Sequence, residues 1–147
     1  MRVKRSIQTV LTAAFLSFCL VKALSACAPS ISSFDQTAYE YAISLKVESL
    51  AMMNKATETY ADHEKEVKDL MHQVEKAYEY AKGRRKNSIA ATQWEILKDP
   101  DRNLLGGFIK YWSKNSKVDR VFIQETKGLV SDAFDVISGL ESKKPKQ

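Results

Sequence analysis

From Ser30 to Lys82 the chain reads SISSFDQTAYEYAISLKVESLAMMNKATETYADHEKEVKDLMHQVEKAYEYAK, 53 residues without a glycine or a proline. The two residues that most strongly interrupt helices are therefore missing throughout. Small or apolar side chains recur at Ala42, Leu45, Ser49, Met52 and Ala56, then at Tyr60, His63, Val67, Leu70, Val74, Ala77 and Ala81. Steps of three and four mark one face of an α-helix, while Glu58, Asp62, Lys65, Lys68, Glu75 and Glu79 fall on the opposite side. The spacing predicts one amphipathic helix over 34–82, roughly 70 Å long at about 1.5 Å per residue. The 4-4 step at Met52-Ala56-Tyr60 resembles a coiled-coil stutter, which relaxes the supercoil. A break near Thr59–Asp62 is the alternative, with Asp62 capping a second helix whose first turn holds Glu64 and Glu66.

Outward from this stretch the signals remain helical. Gly83 suits the left-handed residue that often follows a helix. Asn87 or Ser88 caps a shorter helix from Ile89 to Lys98, carrying Trp94 and Leu97. Asp99-Pro100 is a start signal for the next, because Asp accepts orphan amide protons and Pro tolerates the first helical position. Leu104, Leu105, Phe108, Ile109 and Trp112 supply its apolar side, and Gly106-Gly107 marks a bend or a close helix approach. Val118, Phe122, Leu129, Ala133, Val136 and Leu140 read as the buried stripe of a last helix. The expected class is all-α, a long N-terminal amphipathic helix with shorter helices packed on it as a bundle over 34–142. Residues 143–147 are expected to be a disordered basic tail.

The whole chain has 147 residues, with 23 Lys and Arg against 18 Asp and Glu. Residues 1–26 hold Arg2, Lys4, Arg5 and Lys22 and no acid, so the other 121 residues carry 19 cations against 18 anions. The high sequence pI near 9.1 is thus mostly an N-terminal property. It gives no support to a nucleic-acid partner, which needs cations clustered on the folded part.

That N-terminus has its own pattern. Met1-Arg2-Val3-Lys4-Arg5 precedes sixteen uncharged residues, Ser6 to Val21, too short and too rich in hydroxyls for a membrane span. Basic start, apolar run and small residues together read as a secretory signal peptide over 1–26. Leu24-Ser25-Ala26-Cys27 resembles the lipobox of bacterial lipoprotein signals, with an aliphatic residue, two small ones and Cys. The resemblance implies that Leu24, Ser25 and Ala26 are read by the signal peptidase and that Cys27 receives a diacylglyceryl thioether. Cleavage after Ala26 then frees an amino group for acylation. Thiolate chemistry requires Cys at that place. Lys22 departs from the pattern, since a charge is unusual five residues before the cysteine. Ordinary cleavage after Ala28 would place Pro29 next, which signal peptidases resist. Residues 27–33 are then a lipidated tether. Cys19 leaves with the signal, so no internal disulfide is available.

Other constellations are weaker. His63 and His72 lie nine residues apart and face nearly opposite sides, unlike an i, i+4 zinc pair. Asp69, His72 and Glu75 share a face, yet in a stretch of alternating charge they read as a solvated stripe, so no metal ligand is assigned. No G-x-S-x-G and no acid in an apolar setting is visible, so neither catalytic nor cofactor-binding residues are assigned. Lys82-Gly83-Arg84-Arg85-Lys86 is either a phosphate-contacting loop or a solvated helix end. In the pairs Tyr39/Tyr41 and Tyr78/Tyr80 one ring should be buried and the other partly exposed. The expectation is a non-catalytic lipoprotein held at the membrane through Cys27, in the outer membrane facing the periplasm if the host has two. It would contact an envelope protein partner through helical faces, in a scaffold, adaptor, pilotin-like or exclusion-type role. The alternative is a periplasmic small-ligand or metal-binding lipoprotein.

Overall fold

The computed structural model describes residues 31–146, so the signal, the lipobox and Cys27 lie outside the described residues. Five α-helices pack on one another, and there is no strand among the described residues. They are α1 (Gln36–Asn54), α2 (Tyr60–Gly83), α3 (Ser88–Lys98), α4 (Leu105–Asn115) and α5 (Arg120–Ser142). No helix among the described residues is long and apolar enough to cross a membrane.

The expected continuous helix over 34–82 is broken. A 3-10 turn, Lys55–Thr57, and an extended Glu58 separate α1 from α2, which folds back along it. The break falls at the 4-4 step. Its physical reason is that folding back lets both apolar stripes enter one core, which they share with α3 and α5. Ala42, Leu45, Met53 and Ala56 of the first half join Val67, Leu70, Val74 and Ala77 of the second in one core. Carbonyls freed at the break find partners elsewhere: Val118 N donates to Ala56 O, and Trp112 Nε1 donates to Glu58 O. Thr59, not Asp62, occupies the N-cap of α2, and Asp62 lies in the first turn.

Helices α1, α2, α3 and α5 form a four-membered ring in which α1 touches α2 and α5, and α3 touches the same two. Helix α4 covers the end where α1 turns into α2. Its Trp112 is fully buried, edge-on to Tyr60 at 5.3 Å between ring centroids. At that end Tyr60 N also donates to Ser116 O at 2.8 Å.

Two further expectations change, at the start of α4 and along α5, and the structure decides between the two readings of Gly106-Gly107. Helix α4 begins at Leu105 rather than at Asp99-Pro100, because Asp99 Oδ1 accepts from Asp101 N in a turn that stops short of a helix. The glycine pair is a close approach. A Cβ at Gly106 would meet the Lys98 carbonyl at the end of α3, and one at Gly107 would meet the Arg102 carbonyl. In α5 the buried stripe is Ile123, Thr126, Val130, Phe134, Ile137 and Glu141, displaced one residue from the expected one. Two stripes with the same spacing run along α5. The ring takes the one whose Phe134 reaches Trp94 edge-on, at 5.8 Å between centroids. Phe122, Leu129 and Val136 of the expected stripe are exposed.

Candidate functional site

Two features distinguish the two ends of the ring. At the open end, opposite the α1–α2 turn, three segments distant in sequence are knitted together. Ser32 N donates to Lys86 O, Phe34 N to Pro145 O, and Arg84 Nη2 to Ser33 O. At the centre is Glu141, 3% exposed, whose carboxylate accepts from Arg84 Nη1 at 3.0 Å, from Asp35 N at 2.8 Å and from Lys144 Nζ. Lys144 Nζ also donates to Asn87 Oδ1, and Asn87 Nδ2 closes the loop onto Ala81 O at 2.8 Å. A buried carboxylate is tolerated only with such a full set of partners.

The residues expected to form a disordered tail are therefore partly structural. Lys144 is buried, and Lys146 Nζ lies over the Phe34 ring at 5.8 Å from its centroid. The same network holds Asp35, the N-cap of α1, whose Oδ1 accepts from Ala38 N and whose carboxylate also accepts from Tyr80 Oη. Partial burial pushes the Asp35 carboxyl upward. The Ala38 amide, the Tyr80 hydroxyl and the Arg84 charge outweigh that push and hold it below the ordinary carboxylate range. The basic loop is divided in its roles: Arg84 is an internal cation, whereas Arg85 is exposed.

At the other end, α4 and α5 enclose an open cleft of about 570 Å³. Phe108, Tyr111, Phe122 and Leu129 provide its apolar floor and walls, with Lys110, Lys114 and Glu125 around it. Tyr111 and Phe122 pack at 4.8 Å between centroids, yet Tyr111 is 45% exposed and Leu129 53%. Lys110 is drawn to Asp101 at 2.6 Å, which fixes the α4 side of the rim against the loop before it. Apolar side chains left facing solvent between two helices are what a protein partner can cover.

Cys27, Leu24, Ser25 and Ala26 lie outside the described residues. Asp69 pairs with Lys65 and Glu75 with Lys98, which leaves His72 exposed between two engaged carboxylates. His63 stands apart, with Nε2 at 2.6 Å from Glu58 and its ring against Trp112. Among the described residues no group of three acidic, histidine or cysteine side chains is set to hold a metal. Tyr39, Tyr41 and Tyr78 are all half-buried and Tyr80 is slightly more exposed, so neither tyrosine pair divides into buried and exposed members.

Both features were legible only in part. Glu141 sits at helical spacing from Phe134 and Ile137, and a carboxylate on a buried stripe signals a buried partner. The neighbouring stripe has the same spacing, so periodicity alone does not single it out. The cleft is obscured for the same reason, since Phe122 and Leu129 have the spacing of a buried stripe. No known protein family, curated protein or solved structure matches the chain.

Proposed function

We propose that the chain is a lipid-anchored envelope lipoprotein without catalysis of its own, acting by holding a protein partner. The anchor reading rests on Leu24-Ser25-Ala26-Cys27. The observation that carries the partner reading is the cleft between α4 and α5, whose Tyr111, Phe122 and Leu129 are exposed on a domain with a filled core. Its occupant is an apolar segment of another envelope protein, such as one helix face inserting side chains between Tyr111 and Leu129. Ser32 and Phe34, at the start of the described chain, and the cleft lie toward opposite ends of the ring. About 21 residues of α5 separate Phe122 from Lys143, roughly 30 Å at about 1.5 Å per residue. A domain tethered at one end would present the other to the compartment.

The test is a photo-reactive phenylalanine analogue placed at Tyr111 or at Leu129 of the lipidated protein in cells. One adduct common to both positions is expected, lost when Phe122→Ser is added and absent when the probe replaces exposed Lys65. Adducts of equal yield from Lys65, or none from the cleft, would refute partner binding there. An adduct of twice the protein's own mass would identify a second copy instead. One observation favours a small-ligand role, since about 570 Å³ lies within the usual range for small-molecule sites. A ligand in the cleft would raise the melting temperature and suppress both adducts.

A further inference from the structure

We propose that the open end of the ring is a basic face that lies on an anionic lipid surface and orients the domain there. The proposal rests on the reading of Cys27 as the lipidated residue. Cys27 precedes Ile31, the first described residue, by four positions, so the intervening chain reaches at most about 14 Å. Ser32 and Phe34 are already fixed to the domain, by Lys86 O and Pro145 O. Lipid on Cys27 therefore brings this end, and no other, to within a short reach of headgroups.

The charge at this end is what an anionic surface would select. Segments 31–36, 79–87 and 141–146 meet in the Glu141 network and carry seven cations against three carboxylates. The rest of the described chain holds twelve cations against fifteen carboxylates. A net charge near zero conceals a molecule that is positive at the tethered end and negative elsewhere. Two of the three carboxylates are committed to partners within the domain: Glu141 is buried, and the partly exposed Asp35 accepts from Tyr80 and Ala38. Only Glu79 is exposed, paired with Lys82 at 3.2 Å. Arg85, Lys143 and Lys146 are exposed at the same end. Buried Lys144 and half-buried Arg84 serve differently, because they pin the loop and the C-terminal segment so that both display their outer cations together. Attraction to an anionic leaflet acts within about a Debye length, near 10 Å at 0.1 M salt. Only cations beside the anchor can contribute.

The experiment uses the mature lipoprotein purified from cells and reconstituted into vesicles, either phosphatidylcholine alone or with about one third phosphatidylglycerol. Brief acetylation of amines is read peptide by peptide. With phosphatidylglycerol, Lys82, Lys143 and Lys146 should react at least about threefold more slowly than on neutral vesicles, an effect cancelled by high salt. Lys55, Lys65 and Lys117, toward the opposite end, should not change. Arg85→Glu combined with Lys143→Glu should abolish the difference at Lys82 and Lys146 while the protein still sediments with the vesicles. Equal reactivity on both vesicles, with the protein sedimenting with both, would overturn the basic face and leave the lipid anchor standing. So would uniform slowing of all lysines, or equal protection by inorganic phosphate on neutral vesicles. Failure to sediment with neutral vesicles, with an unmodified Cys27 mass, would overturn the anchor and this proposal together.

Discussion

At Gly106 and Gly128 the same substitution meets opposite surroundings. A methyl group at Gly106 would be driven into the backbone carbonyl of Lys98, which cannot rotate away as a side chain can. At Gly128, mid-way along α5, nothing lies within 4 Å. Gly106→Ala should therefore destabilise the domain by at least about 2 kcal/mol through overpacking. Gly128→Ala should stabilise it by about 0.5–1 kcal/mol, the helix penalty that glycine carries. Urea denaturation of the two variants against the parent checks the sign of each. Asp35 gives a second residue-scale expectation. Its carboxyl is held below the ordinary range in the fold, so the folded state favours the anion. That contribution is fully present above the unfolded carboxyl pKa, about 4, and is lost as pH falls through the lower folded value. Asp35→Asn should flatten the decline in melting temperature below about pH 4, and at pH 7 Asp35→Ala should cost about 1 kcal/mol through the lost cap. An unchanged acid slope in Asp35→Asn would show that other carboxylates dominate acid unfolding.

Among elements, the α1–α2 break best shows what periodicity can and cannot disclose. The apolar face over 42–81 is legible, because Ala42, Leu45, Ser49 and Met52 and then Val67, Leu70, Val74 and Ala77 are all buried. Whether one helix or two presents that face depends on what the freed backbone groups can bond. Those partners, Val118 and Trp112, lie more than fifty residues away. The choice of stripe in α5 has a similar origin. Both stripes satisfy helical spacing, and only the positions of α1 and α3 decide between them. Trp112 is the most direct probe of the break, since its Nε1 donates to both Glu58 O and Ser116 O at 3.1 Å. Trp112→Phe keeps an aromatic ring but removes the donor and part of the volume, and should cost about 2–3 kcal/mol. Amide exchange at Tyr60 and Val118, which hydrogen-bond across the break, should quicken more than exchange in the middle of α5. Uniform quickening throughout would mean that the break has no local stability of its own.

At the scale of the whole molecule, the chain places its chemistry at two ends. One end gathers the start of α1, the α2–α3 loop and the C-terminal segment around a buried carboxylate. The other carries α4 and an apolar cleft. This polarity is invisible in composition, because a balanced overall charge averages over it and α5 carries two apolar stripes of equal spacing. The cleft, the basic face and the separation between them acquire their proposed meaning from a lipid on one residue. The measurement that tests this most directly is mass spectrometry of the N-terminal peptide of the mature protein from its own membranes. A peptide beginning at Cys27 and carrying the mass of a diacylglyceryl thioether, with or without an amide-linked acyl chain, is the predicted result. An unmodified Cys27, or a mature chain beginning at any other residue, would contradict it.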